Sequence, residues 1–221
     1  MTMASNNMRK LVPLKPLPID FNEEKHEYTW EPTGARLAYS VTEILRVLKT
    51  EWQLQMIEKS KATWAPRGTS VHAGLEAFLN GTPTEQVLAD IDEQWLPWLE
   101  PLLAHPFWQV FTPIATEYRV CDLARSIGGS LDALGWYAPA ESLVLLDLKT
   151  LGKRRKPYST DAQLGGYLSM LIDQKKLVVD DCLTFWSMPG EAEHGDPQPP
   201  QRCLDAWEDA YSRWSLTQEE L

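Results

Sequence analysis

Residues 143–150 read LVLLDLKT, and this run limits the possible folds more than any other segment. Consecutive apolar residues mark a buried strand, yet the run continues into Asp147 and Lys149, two groups that are costly to bury. Alternate side chains of a strand share a face, so Asp147 and Lys149 emerge together while Leu148 turns back to the core. A fold that accepts this strand must offer a place at the edge of its core for a carboxylate and an ammonium.

Two more strand patterns precede it. IATEYRVC (114–121) and GGSLDALGWY (128–137) complete a series of three strands, with Gly128–Gly129 and Pro139 read as turn residues. Next, STDAQLGGYLSMLIDQKK (159–176) reads as a helix capped near Ser159 or Thr160, and CLTFWSM (182–188) as a fourth strand. PGEAEHGDPQPPQ (189–201) reads as a surface loop, followed by an amphipathic helix over about 203–216 with Trp207, Tyr211 and Trp214.

Upstream, HEYTWEPTGARLAYS (26–40) predicts a hairpin around Pro32–Gly34, and SVTEILRVL opens a helix with Ser40 and Glu43 at capping-box spacing. A second helix covers the fifties. PRGTSVHAGLEAFLNG (66–81) predicts a helix starting near Pro66 and ending near Gly81, with His72 beside an apolar stripe of Val71, Leu75, Phe78 and Leu79. Residues 84–111 are helical in pattern but broken by Pro97, Pro101 and Pro106. Their Trp95, Trp98, Phe107 and Trp108 read as the packing of a small helical cap rather than a base-stacking platform. Residues 1–20, with Pro13, Pro16 and Pro18 and no periodicity, read as a loosely docked arm. The expected organisation is therefore this arm and a single domain over 21–221. It is an α/β domain with a central mixed sheet flanked by helices and a catalytic core over about 112–188.

Composition narrows the function classes. At 221 residues and 43% hydrophobic the chain can bury one ordinary core. No apolar stretch approaches the roughly 20 residues that span a bilayer, and the first twenty residues lack a signal-peptide core, so no membrane partner and a cytoplasmic location are expected. Cys121, Cys182 and Cys203 are widely spaced, which predicts reduced structural thiols and no iron–sulfur cluster. A net charge of -10 argues against coating of nucleic acid but leaves room for a local basic channel. With no GxxxxGK[ST] loop, an ATP-driven motor is not expected.

The strand and helix order can bring Asp132, Asp147 and Lys149 onto one face, with Gln163 and Tyr167 at i, i+4 spacing on the next helix and His72 approaching from an earlier one. Two close carboxylates repel unless a hard cation such as Mg²⁺ lies between them. A lysine beside the cation can offset charge developing on a phosphate or orient a water whose pKa the cation lowers. The basic run Lys153, Arg154, Arg155 and Lys156 begins four residues after Lys149 and could guide a nucleic-acid backbone inward. Arg67, in the histidine segment, is a further candidate for nucleic-acid contact. Each element alone has a blander explanation: a strand-edge ion pair, a hydrogen-bonded helix histidine, a solvated basic loop. Their order and spacing together favour a hydrolytic site for phosphodiesters.

These segments resemble the PD-(D/E)XK nuclease superfamily, in particular its RecB-like exonuclease branch with the Q-x-x-x-Y signature. GTSVHAGLE matches the histidine motif, GGSLDAL the first acidic motif, LLDLKT the D-x-K motif and QLGGY the last, while HEYTW and YSVTEIL look like the branch's entry segment. The resemblance spans roughly residues 26–188. It implies a restriction-endonuclease-like core and a metal-dependent deoxyribonuclease, an exonuclease on DNA ends or single strands serving phage or plasmid recombination, repair or degradation. It also implies that His72, Asp132, Asp147 and the Leu148 carbonyl bind Mg²⁺ or Mn²⁺, and that Lys149 serves the attacking water. Gln163 and Tyr167 would orient the lysine region or touch the nucleic-acid backbone, and Glu117 is a weaker candidate at an upstream acid position. DNA is the implied partner, with recombination or replication proteins around it. The alternatives are a structure- or site-specific endonuclease and a non-catalytic nucleic-acid-binding module.

Overall fold

The computed structural model describes residues 12–152 and 158–219. A small antiparallel sheet comprises β1 (Ile19–Asn22), β2 (Glu27–Trp30) and β3 (Ala35–Arg36). The central six-stranded sheet is built from β4 (Tyr39–Ser40), β5 (Phe111–Asp122), β6 (Ile127–Tyr137), β7 (Ser142–Thr150), β8 (Asp181–Met188) and β9 (Glu191–His194). The sheet is mixed: β4 with β6 and β7 with β8 pair parallel, the other neighbours antiparallel. The helices are α1 (Val41–Ile44), α2 (Glu51–Lys59), α3 (Lys61–Leu79), α4 (Thr84–Asp90), α5 (Leu96–Leu103), α6 (Asp161–Lys175) and α7 (Pro200–Glu219).

Helices flank both sheet faces, as expected for this α/β class. On one face Val41 of α1, Leu164 and Tyr167 of α6 and Trp207 of α7 pack with Leu131, Leu143 and Leu145. On the other, Val71 and Leu75 of α3 and Leu99 and Leu102 of α5 pack with Val144, Leu146, Leu148 and Phe185. The alternation along β7 follows the period of two read from LVLLDLKT, and Leu148 is fully buried.

Residues 84–111 belong, with α3, to the second of these layers. Trp108 stacks on Phe185 with ring centroids 4.7 Å apart, and its indole N–H donates to the Leu102 carbonyl at 2.6 Å. Phe107 and Trp108 are thus core, with the partly buried Trp95 and Trp98 packed against the same cluster. They cover a sheet face, and none of them lines the cleft described below.

Gly128 and Gly129 lie inside β6, not in a turn; the chain reverses just before them, where Ser126 takes a φ of 57°. Their missing side chains make room for rings. A Cβ on Gly128 would sit 2.6 Å from Tyr28 Cγ, and one on Gly129 2.7 Å from Tyr167 Cε1. The segment read as a surface loop after β8 contains β9: Pro189–Gly190 close a tight hairpin, with Gly190 at φ 77°, and Met188 pairs with Glu191. Helix α3 starts at Lys61, ahead of Pro66, which lies inside it and costs one backbone hydrogen bond near the helix start. Within the segment read as an arm, Ile19 is buried in β1, the Leu14 N–H donates to the Ile114 carbonyl at 2.8 Å, and the Tyr118 hydroxyl donates to the Lys15 carbonyl at 2.7 Å. Cys121, Cys182 and Cys203 are free and buried.

Candidate metal centre

The site lies where β6 and β7 part. From Ile127 to Tyr137, except at Asp132, β6 is paired with β5 on one edge. The other edge must therefore serve both β4, at Ile127 and Gly128, and β7, from Ala133 to Tyr137. Residues 129–132 fall between them with no strand on that edge, and β7 runs on to Thr150 paired only with β8. This fork leaves backbone groups that a sheet would normally satisfy, and polar side chains fill it.

Asp132 stands at its apex. One carboxylate oxygen accepts the Leu148 N–H of β7, replacing the ladder bond that the fork removes. A strand residue directs its N–H and C=O to the same edge, so the Leu148 carbonyl opens on the fork while its side chain is in the core. The other Asp132 oxygen is 3.3 Å from His72 Nδ1, which is also 3.4 Å from Glu117 Oε1. One ligand atom from each of His72, Glu117 and Asp132 can be chosen so that all lie within 4.8 Å of one another, a group able to hold a metal ion.

Glu117 reaches this group through an unusual backbone. It falls, with Asp132, in the gap of the β5–β6 ladder between the pairs Thr116–Ala133 and Tyr118–Leu131, and has a φ of 41°, left-handed for a non-glycine residue within a strand. The structure gives this weaker sequence candidate the same proximity to His72 as Asp132.

Asp147 and Lys149 share the face opposite Leu148, and the Lys149 ammonium donates to Asp147 Oδ1 at 2.8 Å. Asp147 is 1% exposed, and its Oδ2 has no hydrogen-bond partner among the described residues. The group whose ligand atoms lie close enough to share one ion is His72, Glu117 and Asp132, a donor set that fits a hard cation, and Asp147 is not part of it. Gln163 Nε2 donates to the Tyr167 hydroxyl at 3.0 Å on the α6 side.

The charges are strongly coupled. Burial disfavours the His72 imidazolium, but Asp132 and Glu117 outweigh it and raise the pKa to about 10. Burial also opposes ionisation of Asp132, yet His72, Lys149 and the Leu148 N–H hold its carboxyl below the ordinary value. For Glu117 burial wins, reinforced by Asp132 and Glu76, and its pKa rises. Burial pushes Asp147 up to about 6 against the pull of Lys149. Burial and the two aspartates keep Tyr167 protonated, well above its usual value.

The raised Asp147 pKa has a measurable consequence for the metal-free fold. A proton binds Asp147 more tightly in the folded state, so the stability this supplies is complete below about 4 and is lost as pH rises through about 6. Asp147→Asn should therefore match wild type near pH 4 and exceed it by about 2–3 kcal/mol near pH 7 in chelator, read from urea melts. A gap that does not grow with pH would contradict an Asp147 whose burial outweighs its pairing with Lys149.

A cleft of about 760 Å³ opens over the group, walled by β1 and β2 residues on one side and α3 on the other. His72, Glu117, Asp132, Gln163 and Tyr167 line it; Asp147 and Lys149 are not among its lining residues. Glu76 lines it too. Sequence reasoning passed over Glu76, although its i, i+4 spacing from His72 puts both on one side of α3.

Of the proposed nucleic-acid contacts, Arg67 is engaged within the protein. Its Nε donates to Thr150 Oγ1 at 3.2 Å, its Nη2 to the Thr150 carbonyl at 3.1 Å, and its guanidinium lies 5.2 Å from the Trp98 ring centroid. Lys153, Arg154, Arg155 and Lys156 lie outside the described residues. No helix among the described residues is long and apolar enough to cross a membrane.

No protein-family model matches the chain, and no curated protein matches it. Among solved structures, the crystal structure of SSO0001 is similar over 77% of this chain and 73% of that one, at 16% identity and a TM-score of 0.42. A likeness at that level bears on neither family nor activity.

Proposed function

We propose that this chain is a metal-dependent deoxyribonuclease that hydrolyses phosphodiester bonds at DNA ends or in single strands. The observation that carries this reading is the His72 contact to both Asp132 and Glu117, at 3.3 and 3.4 Å, in the fork beside the Asp147–Lys149 pair. The motif resemblance to the RecB-like branch supports the same reading.

His72, Glu117, Asp132 and Asp147 would hold Mg²⁺ or Mn²⁺, with the Leu148 carbonyl facing the same fork. When bound, the cation supplies a fixed positive charge that lowers the pKa of a water and offsets charge on the phosphate. Lys149, held by Asp147, would offset charge gained by the phosphoryl oxygens during hydrolysis. The protonated Tyr167 accepts from Gln163 and keeps its own hydroxyl hydrogen to donate to the lysine region or the DNA backbone. The basic residues 153–156 follow Lys149 in sequence and suit a phosphate backbone. A cytoplasmic role beside recombination or replication proteins belongs to this proposal.

Closed circular and linear DNA of the same sequence separate an exonuclease from an endonuclease. With Mg²⁺ or Mn²⁺ the linear form should shorten progressively and the closed circle persist. Nicking or linearisation of the circle would move the reading to an endonuclease.

A further inference from the structure

We propose that Arg67 is a positioning residue that stands in for the strand β7 lacks beyond the fork, and so holds Lys149 in place. Past Leu146, β7 loses β6 and keeps only β8 as a strand partner. Its free edge is then satisfied piecemeal. Asp132 takes the Leu148 N–H, and Arg67 takes both the carbonyl and the hydroxyl of Thr150. Lys149 is the residue between these two anchors.

The hold on Thr150 is itself braced. Arg67 is 6% exposed and lies over Trp98, whose indole N–H donates to the Leu151 carbonyl at 2.7 Å. The Leu151 N–H donates to the Ser187 carbonyl at 2.9 Å, and Ser187 Oγ donates to the Trp98 carbonyl at 2.9 Å. Helices α3 and α5 and strand β8 thus converge on the end of β7. A guanidinium can donate to two acceptors in a fixed fork, as this contact requires; an ammonium cannot reproduce that geometry. Arg67 sits five residues before His72 on α3, so the same helix that brings His72 to the site also fixes the strand carrying Lys149.

The kinetic consequence rests on the nuclease reading; the clamp does not. The test compares Arg67→Met, Arg67→Lys, Thr150→Val and the Arg67→Met/Thr150→Val double variant, by steady-state cleavage of end-labelled DNA and by hydrogen exchange at the Leu151 amide. Arg67→Met should lower kcat by about 10- to 100-fold with KM within about threefold, because the loss is one of orientation. Arg67→Lys should not restore it. Leu151 exchange should quicken by about tenfold or more, and the double variant should lose little beyond Arg67→Met alone. A loss confined to KM, or rescue by lysine, would make Arg67 a substrate contact and overturn the proposal; additive losses or unchanged exchange would also overturn it. If Arg67→Met does not fold, Thr150→Val decides: lower kcat at constant KM with faster exchange supports the clamp, and no change in either refutes it. If wild type cleaves no DNA, the nuclease reading falls, while the exchange result still decides the clamp.

Discussion

Lys149→Ala is expected to lower the cleavage rate by about 10³ while DNA affinity changes by less than about threefold. The ammonium is fixed on Asp147 at 2.8 Å, and under the proposed mechanism it meets charge that develops only in the transition state. Alanine removes that charge, and no other cation contacts Asp147 among the described residues. The separation of rate from affinity is the informative part, since a basic residue used only for binding would weaken affinity and leave kcat intact. Single-turnover cleavage at saturating protein, beside equilibrium binding to the same oligonucleotide in Ca²⁺, measures both quantities. Wild-type cleavage by Lys149→Ala would remove the lysine from the mechanism and favour the non-catalytic binding module.

Gly165→Ala should destabilise the fold by about 3 kcal/mol or more, roughly 6–12 °C in Tm. A Cβ there would lie 1.9 Å from the Cys203 carbonyl oxygen and 2.9 Å from Trp207 Cβ, so it meets the backbone of α7, which cannot rotate away. Gly166 is the control. A Cβ at that position meets only the side chains of Val41 and Trp207, at 3.0 Å, which can give by a few tenths of an ångström. Gly166→Ala should cost clearly less than Gly165→Ala in the same thermal melts. Equal effects would mean that α6 and α7 approach differently from the contact described. Because α6 carries Gln163 and Tyr167, this packing also sets the α6 wall of the cleft.

Much of the arrangement is legible in residue patterns. The alternation in LVLLDLKT correctly separates Leu148, in the core, from Asp147 and Lys149, and the i, i+4 spacing of Gln163 and Tyr167 appears as a direct hydrogen bond. Both are local periodicities, fixed by strand and helix geometry. The left-handed φ of Glu117 is not legible, because a backbone imposed by neighbouring strands leaves no mark on residue type. Arg67 reads in sequence as a candidate for nucleic-acid contact because its partner Thr150 is far away along the chain. Gly128–Gly129 had the composition of a turn, yet tight ring packing uses the same absence of a side chain. The hairpin to β9 did carry a signal, the Pro189–Gly190 pair, hidden by the polar residues that follow.

The most direct test of the account is a time course on end-labelled single-stranded and duplex DNA with Mg²⁺ or Mn²⁺, run for wild type and Asp132→Ala. Asp132 touches His72 and the β7 backbone, so its loss should empty the fork of its central ligand. The account predicts metal-dependent shortening from an end by wild type, no cleavage without a divalent cation, and at least about a 10³-fold slower reaction for Asp132→Ala. Equal inactivity of both proteins on every substrate, or equal activity of the two, would contradict it.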